Sequence, residues 1–267
     1  MKSIWKALTC AAVVVALSSS LQAAAGLLIV EKTTSGATPA TNQIQIEANR
    51  MRAESAGPGG GKQVVIFDGS RQVLTIIDND NKTYSEMTRD DADALGAQLA
   101  DAMAQIQKQL AGMPPEQRAQ IESMMKGRMG GAGGAAAKPQ YRKAGTENVG
   151  KWTCDKYEAY DGDKRTSEVC TVDPKVLGLS EADFAFSRQF VDFFKRVVPQ
   201  MANQAFVIGT VEQQGFAGVP VKRSVNILGR QFTTEITDVS RQTFPDSSYA
   251  VPAGYQKKPF AGAGRGR

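Results

Sequence analysis

The chain contains no histidine. That absence removes Ser-His-Asp and Cys-His catalysis, the common zinc sites and the usual proton shuttle near neutral pH. Cysteine is scarce: Cys10, Cys154 and Cys170 are the whole set, and none sits in a C-x-x-C pair, which argues against a dithiol redox centre. No phosphate-binding loop is present, because Gly57 to Gly61 runs into Lys62 without a GK[ST] ending or a following helix. Beyond the first 25 residues no stretch reaches 18 uncharged apolar residues, the minimum for a spanning helix. Charge of one sign is also lacking. Lys and Arg number 32 against 27 Asp and Glu, a balance that gives no reason to expect a nucleic-acid partner.

What is present begins with an export pattern. Lys2 and Lys6 precede an apolar run from Leu8 to Leu17, and Ala23-Ala24-Ala25 offers a small-residue cleavage site. Ser18, Ser19, Ser20 and Gln22 interrupt the run, so cleavage after Ala25 is expected rather than anchoring. Cys10 would leave with the signal, and the protein is expected to be periplasmic or otherwise exported. Two cysteines then remain, an even number in an oxidising compartment, which predicts one structural disulfide.

Residues 151–173 read as the hairpin that this disulfide clamps. With Gly162 at the centre of an Asp161-Gly162-Asp163 turn, Cys154 faces Cys170, Lys156 faces Glu168 and Trp152 faces Val172. Upstream, Gly26 to Ser35 is a buried strand, and Gln43 to Ala53 alternates through Ile44 and Ile46 before changing phase at Met51. That change predicts a bulge or bend near Asn49 and Arg50. Lys62–Phe67, Arg71–Asp78 and Lys82–Met87 form an antiparallel meander with apolar residues on both faces, so each face needs a cover. Asp78, Asp80, Asp161 and Asp163 fall in turns, where aspartate serves the local backbone.

At Thr88 the period becomes helical. Thr88 and Asp91 make a capping pattern, and Leu95, Leu99, Met103, Ile106 and Leu110 form one stripe. Pro115 opens a second helix bearing Met124, Met125 and Met129, readable as an adaptable lid over a greasy ligand or as ordinary packing. A Gly/Ala linker occupies 130–138. Ser180 and Asp183 cap a third helix whose Phe186, Phe190, Phe193 and Phe194 share a face, lining a cavity or simply forming core; Pro199 kinks or ends it. Strands Phe206–Gln213, Val219–Leu228 and Gln231–Ser240 follow, and residues 257–267 read as a disordered basic tail.

Five stretches taken together, IFDGSRQVLTIIDNDNKTYSEM, PPEQRAQIESMMKGRM, GKWTCDKYEAYDGD, GFAGVPVK and VPAGY, resemble the bacterial exported family known as domain of unknown function 4412. That family is similar to periplasmic lipoprotein carriers and outer-membrane lipoprotein receptors. The resemblance implies an incomplete antiparallel barrel curled round helices and enclosing a hydrophobic cavity. It transfers no catalytic residues, and the Gly/Ala-rich insertion is unusual beside it.

The expected fold is therefore α+β: one domain over 26–256, with a curved antiparallel sheet covered by helices. The expected function is non-enzymatic binding of an acyl chain, lipid or lipoprotein segment in the concave face, without cofactor or metal. Phe186, Phe190, Phe193 and Phe194 are the candidate lining, and Met124, Met125 and Met129 the candidate lid. The alternative is an envelope interaction or structural protein whose concavity is filled by its own helices. A carboxylate hydrolase ranks third.

Overall fold

A computed structural model describes residues 26–35, 38–56, 61–128, 140–197, 215–227 and 230–260. The export segment, the 130–138 linker, Met129, Pro199 and the expected strand Phe206–Gln213 lie outside them. Chain order gives β1 (Gly26–Ser35), β2 (Thr38–Ile46), β3 (Arg50–Ala56), β4 (Lys62–Asp68), β5 (Val73–Asp78), β6 (Thr83–Met87), α1 (Arg89–Ala111) and α2 (Pro115–Arg128). These are followed by β7 (Gln140–Val149), β8 (Trp152–Asp161), β9 (Lys164–Val172), α3 (Glu181–Val197), β10 (Val219–Ile227), β11 (Arg230–Gln242) and β12 (Gln256–Lys257).

Among the described residues the strands make one sheet in the order β12-β6-β5-β4-β3-β2-β1-β11-β10-β9-β8-β7. Neighbours are antiparallel except β12, which lies parallel to β6. The two ends do not meet, so the sheet is a curved, incomplete barrel. Curvature is visible in the core itself. One cluster joins Phe67 and Leu74 near one end of the sheet with Trp152 and Cys154 near the other, around Phe186 and Phe193 of α3. β1 is the seam, pairing with β2 on one side and β11 on the other, so the early meander and the late hairpins share one core.

The two-sided meander is covered as its pattern requires. Phe67, Leu74, Val65 and Ile76 face the main core, whereas Val64, Ile66 and Ile77 point outward beneath Tyr249, Val251 and Tyr255. The closing VPAGY is thus a strap over the convex face. Tyr255 OH donates to Asn79 Oδ1 at 3.0 Å, tying that strap to the β5–β6 turn.

Two local expectations need correction. The phase change at Asn49 and Arg50 is a chain reversal rather than a bend within one strand. Glu47 N donates to Arg50 O at 2.8 Å, and Ile44 and Ile46 pair with Ala53 and Met51 across the resulting hairpin. A tight turn inverts the apparent alternation just as a bulge would, which is why the pattern misled. In the β8–β9 hairpin, Asp161 pairs with Lys164, so the loop has two residues, with Gly162 at φ 61°. A further shift at Ala159/Tyr160 then sets Lys156 opposite Cys170 and Glu158 opposite Glu168. Trp152 instead pairs with Val149 of β7. The cysteines become diagonal neighbours with Cα atoms 5.4 Å apart, still within bridging distance, and the Cys154–Cys170 disulfide forms. Lys156 also still reaches Glu168, at 3.1 Å.

Helix ends follow the sequence. Thr88 and Asp91 make a full capping box, and Arg118 of α2 caps the end of α1, donating to the carbonyls of Leu110 (3.0 Å), Ala111 (3.1 Å) and Met113 (3.3 Å). The α1 stripe engages the core only at its start. Ala92 is buried and Leu95 packs against the core, whereas Leu99 is 41% exposed. α1 crosses α3 at Gly96, where a Cβ would collide with the Arg196 carbonyl. β7 was not anticipated from sequence: it is an exposed edge strand without apolar alternation.

Candidate functional site

α3 determines what the concave face can hold. Its first turn is fixed from two directions: Ser180 donates to Asp183 Oδ2 through its backbone N (2.7 Å) and hydroxyl (2.8 Å), and Arg241 of β11 donates twice to the same carboxylate, at 2.7 Å each. Burial pushes the Asp183 pKa up, but the hydrogen bonds from Arg241 and Ser180 outweigh it and bring the group down to about 2. The helix therefore enters the sheet at a set angle, with its phenylalanines directed inward.

The four predicted lining residues do come together, but around a protein side chain. The Phe67 ring of β4 lies 5.7 Å from Phe186, 5.3 Å from Phe190 and 5.1 Å from Phe193, centroid to centroid. Phe194 closes the group at 4.7 Å from Phe190. Phe67 and Phe193 are 0% exposed. Phe184 and Val191, which were not singled out, are also buried on α3; their positions beside the Phe stripe carried the signal. The α2 backbone reaches Met124 and Met125, but their side chains and Met129, the whole of the expected lid, lie outside the described residues.

The void left between α3 and the sheet, bounded by Leu27, Ile46, Leu179, Ser187 and Ile236, is about 20 Å³. That is room for about one water. An acyl chain does not fit in that void.

One ionisable group within the sheet stands out. Glu31 of β1 is 6% exposed, and burial pushes its pKa up to about 7 despite the opposing pull of Arg223. The same burial lowers the Arg223 pKa. A carboxyl with a raised folded-state pKa stabilises the protein below its ordinary value of 4.5, and that contribution is lost as pH rises through about 7. Glu31→Gln is therefore expected to match the parent at about pH 4.5 and to exceed it by roughly 2–3 kcal/mol at about pH 8. Urea unfolding at both pH values checks this; equal stabilities at the higher pH would contradict it.

Three carboxylates of the late hairpins are engaged. Glu168 meets Lys156 and Lys222, Glu147 meets Lys222, and Glu158 accepts from Tyr160 OH at 2.7 Å and Arg165 at 2.8 Å. Among the described residues no group of three or more Cys, Asp or Glu could hold a metal, and no helix is long and apolar enough to cross a membrane.

Residues 132–255 match the model of the family described as Domain of unknown function (DUF4412). The family resemblance holds over that span. The disulfide hairpin, GFAGVPVK and VPAGY lie inside it, whereas the β4–β6 meander and the Pro115 helix precede it. No curated protein matches the chain. Among solved structures, an uncharacterized conserved protein from Thermus thermophilus is similar at 7% identity and TM-score 0.42, covering 89% of this chain and 91% of that one. MucB in complex with MucA(peri) is similar at 12% identity and TM-score 0.35, over 87% of this chain and 56% of that one. The MucA/MucB complex of Pseudomonas aeruginosa gives 13% identity and TM-score 0.34, over 84% and 55%. At these TM-scores the likenesses carry no functional argument.

Proposed function

We propose that this is an exported, non-catalytic protein of the cell envelope that acts through its surfaces, with the concave side of its half-barrel occupied by its own helix. The observation that carries this reading is the Phe67 cluster: among the described residues, the greasy lining that a carrier would offer a guest packs against α3, and the void bounded by Leu27, Leu179 and Ile236 beside it is about 20 Å³. Export is supported by the charged-then-apolar start of the chain and by a disulfide joining the two cysteines that remain after cleavage. A non-catalytic role is supported by the absence of histidine and by the engagement of Glu147, Glu158 and Glu168 in ion pairs.

Carriage of an acyl chain, lipid or lipoprotein segment requires α3 to leave the sheet and expose Phe67, Phe186 and Phe193. Native mass spectrometry of mature protein exported into a periplasm, followed by solvent extraction, separates the two readings. The expected result is a mass equal to that of the polypeptide, with no stoichiometric lipid in the extract. Stoichiometric lipid, or saturable uptake of a fluorescent fatty acid, would replace the surface reading with the carrier reading.

A further inference from the structure

The two ends of the sheet are finished differently. At the β6 end the chain covers its own edge: Gln256 N donates to Lys82 O at 3.0 Å and Lys258 N to Tyr84 O at 2.7 Å, which lays β12 along β6. At the other end β7 pairs with β8 alone, and among the described residues no strand takes its outer side. Its ten residues are exposed except Tyr141, Glu147 and Val149. An edge of this length carries a row of outward N–H and C=O groups, which is a template for another strand.

Sheet edges are commonly guarded by charged side chains held across them. Those of β7 are turned back onto the sheet. Lys143 Nζ donates to Asp155 of β8 at 2.8 Å, Glu147 pairs with Lys222 of β10, and Asn148 Oδ1 accepts from Thr153 Oγ1 at 2.8 Å. Arg142 lies over the Tyr160 ring, 4.9 Å from its centre. What guards the edge is a bulge: the register with β8 slips between Lys143 and Gly145, and Gly145 has φ 120°. It divides the edge into two short runs, 140–143 and 146–149. The second has its polar side chains committed to Lys222 and Thr153, whereas the first keeps an uncommitted cation.

That first run has two unlike faces. Tyr141 is half-buried, its ring 4.9 Å from that of Phe216 and its cross-strand partner Ala159 0% exposed. Arg142 is on the opposite face and exposed. Glu158 stands across from it on β8, but that carboxylate is taken by Tyr160 and Arg165, and among the described residues no acid is paired with Arg142. We infer that the outer edge of β7 accepts an extended segment of another protein in which apolar and acidic residues alternate. The backbone of that segment pairs with residues 140–143, its apolar side chains lie beside Tyr141, and its carboxylate meets Arg142. A second copy of this chain supplies no such strand through β7, because the one acid there, Glu147, is held by Lys222. The inference does not depend on what fills the concave face.

Amide NMR of the mature protein titrated with the blocked hexapeptide Thr-Val-Glu-Val-Glu-Thr tests this. The controls are its lysine analogue, Thr-Val-Lys-Val-Lys-Thr, and a version with proline in place of the second valine, which cannot complete a ladder. Saturable shifts and slowed amide exchange are expected at residues 140–143 with the glutamate peptide. The lysine peptide should bind roughly three- to tenfold more weakly and the proline version not at all. Arg142→Glu, on an exposed side chain, should invert the order of the glutamate and lysine peptides while leaving the melting temperature nearly unchanged. No saturable shift at β7, equal affinity for the two charged peptides, or an order that Arg142→Glu fails to invert would overturn the assignment. A dimer of the parent joined through β7 without peptide would overturn it in favour of a second copy.

Discussion

Replacing Phe67 by alanine is expected to destabilise the protein by about 3–5 kcal/mol, enough to lower the melting temperature by roughly 10 °C. The side chain is fully buried and supports three rings of α3, so truncation forfeits both its own transfer energy and the edge-on contacts to Phe186 and Phe190. The remaining cavity can close only if α3 tilts, and the capping at Ser180 and the Arg241–Asp183 pair resist that. Leu99→Ala is the internal control. Leu99 is an exposed member of the α1 stripe, and its loss should stay within about 0.5 kcal/mol. Urea denaturation of the two variants should therefore separate widely; similar small losses would mean that α3 does not rest on β4.

The second large effect concerns the cross-link. Converting both Cys154 and Cys170 to alanine is expected to cost about 3 kcal/mol, the loop-closure value for a bridge spanning 16 residues. Both sulfurs sit in the main core, at 2% and 1% exposure, so alanine also leaves unfilled space. Thiol reductant should shift the unfolding midpoint of the parent and leave the double variant unmoved. A parent insensitive to reductant under denaturing conditions would show that the bridge does not form.

Much of this architecture was legible because several segments state their own boundaries. Thr88 with Asp91 and Ser180 with Asp183 announce helix starts, and the β4–β6 meander is punctuated by Asp-rich turns. The disulfide partners followed from compartment and parity, and they survived an error in the register proposed for them. The register itself depended on a two-residue loop and a bulge at Ala159/Tyr160, which no alternation pattern reveals. The same ambiguity hid the β2–β3 reversal. β7 was missed because an exposed edge strand needs no apolar face.

The candidate site was legible in composition but not in occupancy. Helical spacing collected Phe186, Phe190, Phe193 and Phe194 on one face, and it could not say whether that face awaited a guest or another part of the chain. Phe67, the residue that decides the matter, lies more than a hundred positions away on a strand whose two faces are both apolar. The strap over the convex face was invisible for a similar reason. Tyr249 is brought over β3–β5 by a strap whose sequence, PDSSYAVPAGY, has no periodicity at all.

Native-state hydrogen exchange along α3 tests most directly whether the helix is core or cover. If α3 is core, amides from Phe186 to Phe194 exchange only through global unfolding, with the same opening free energy as β1 and β4, and added fatty acid leaves them unchanged. Opening of α3 well below the global value, together with a change in its protection when fatty acid is added, would contradict that account.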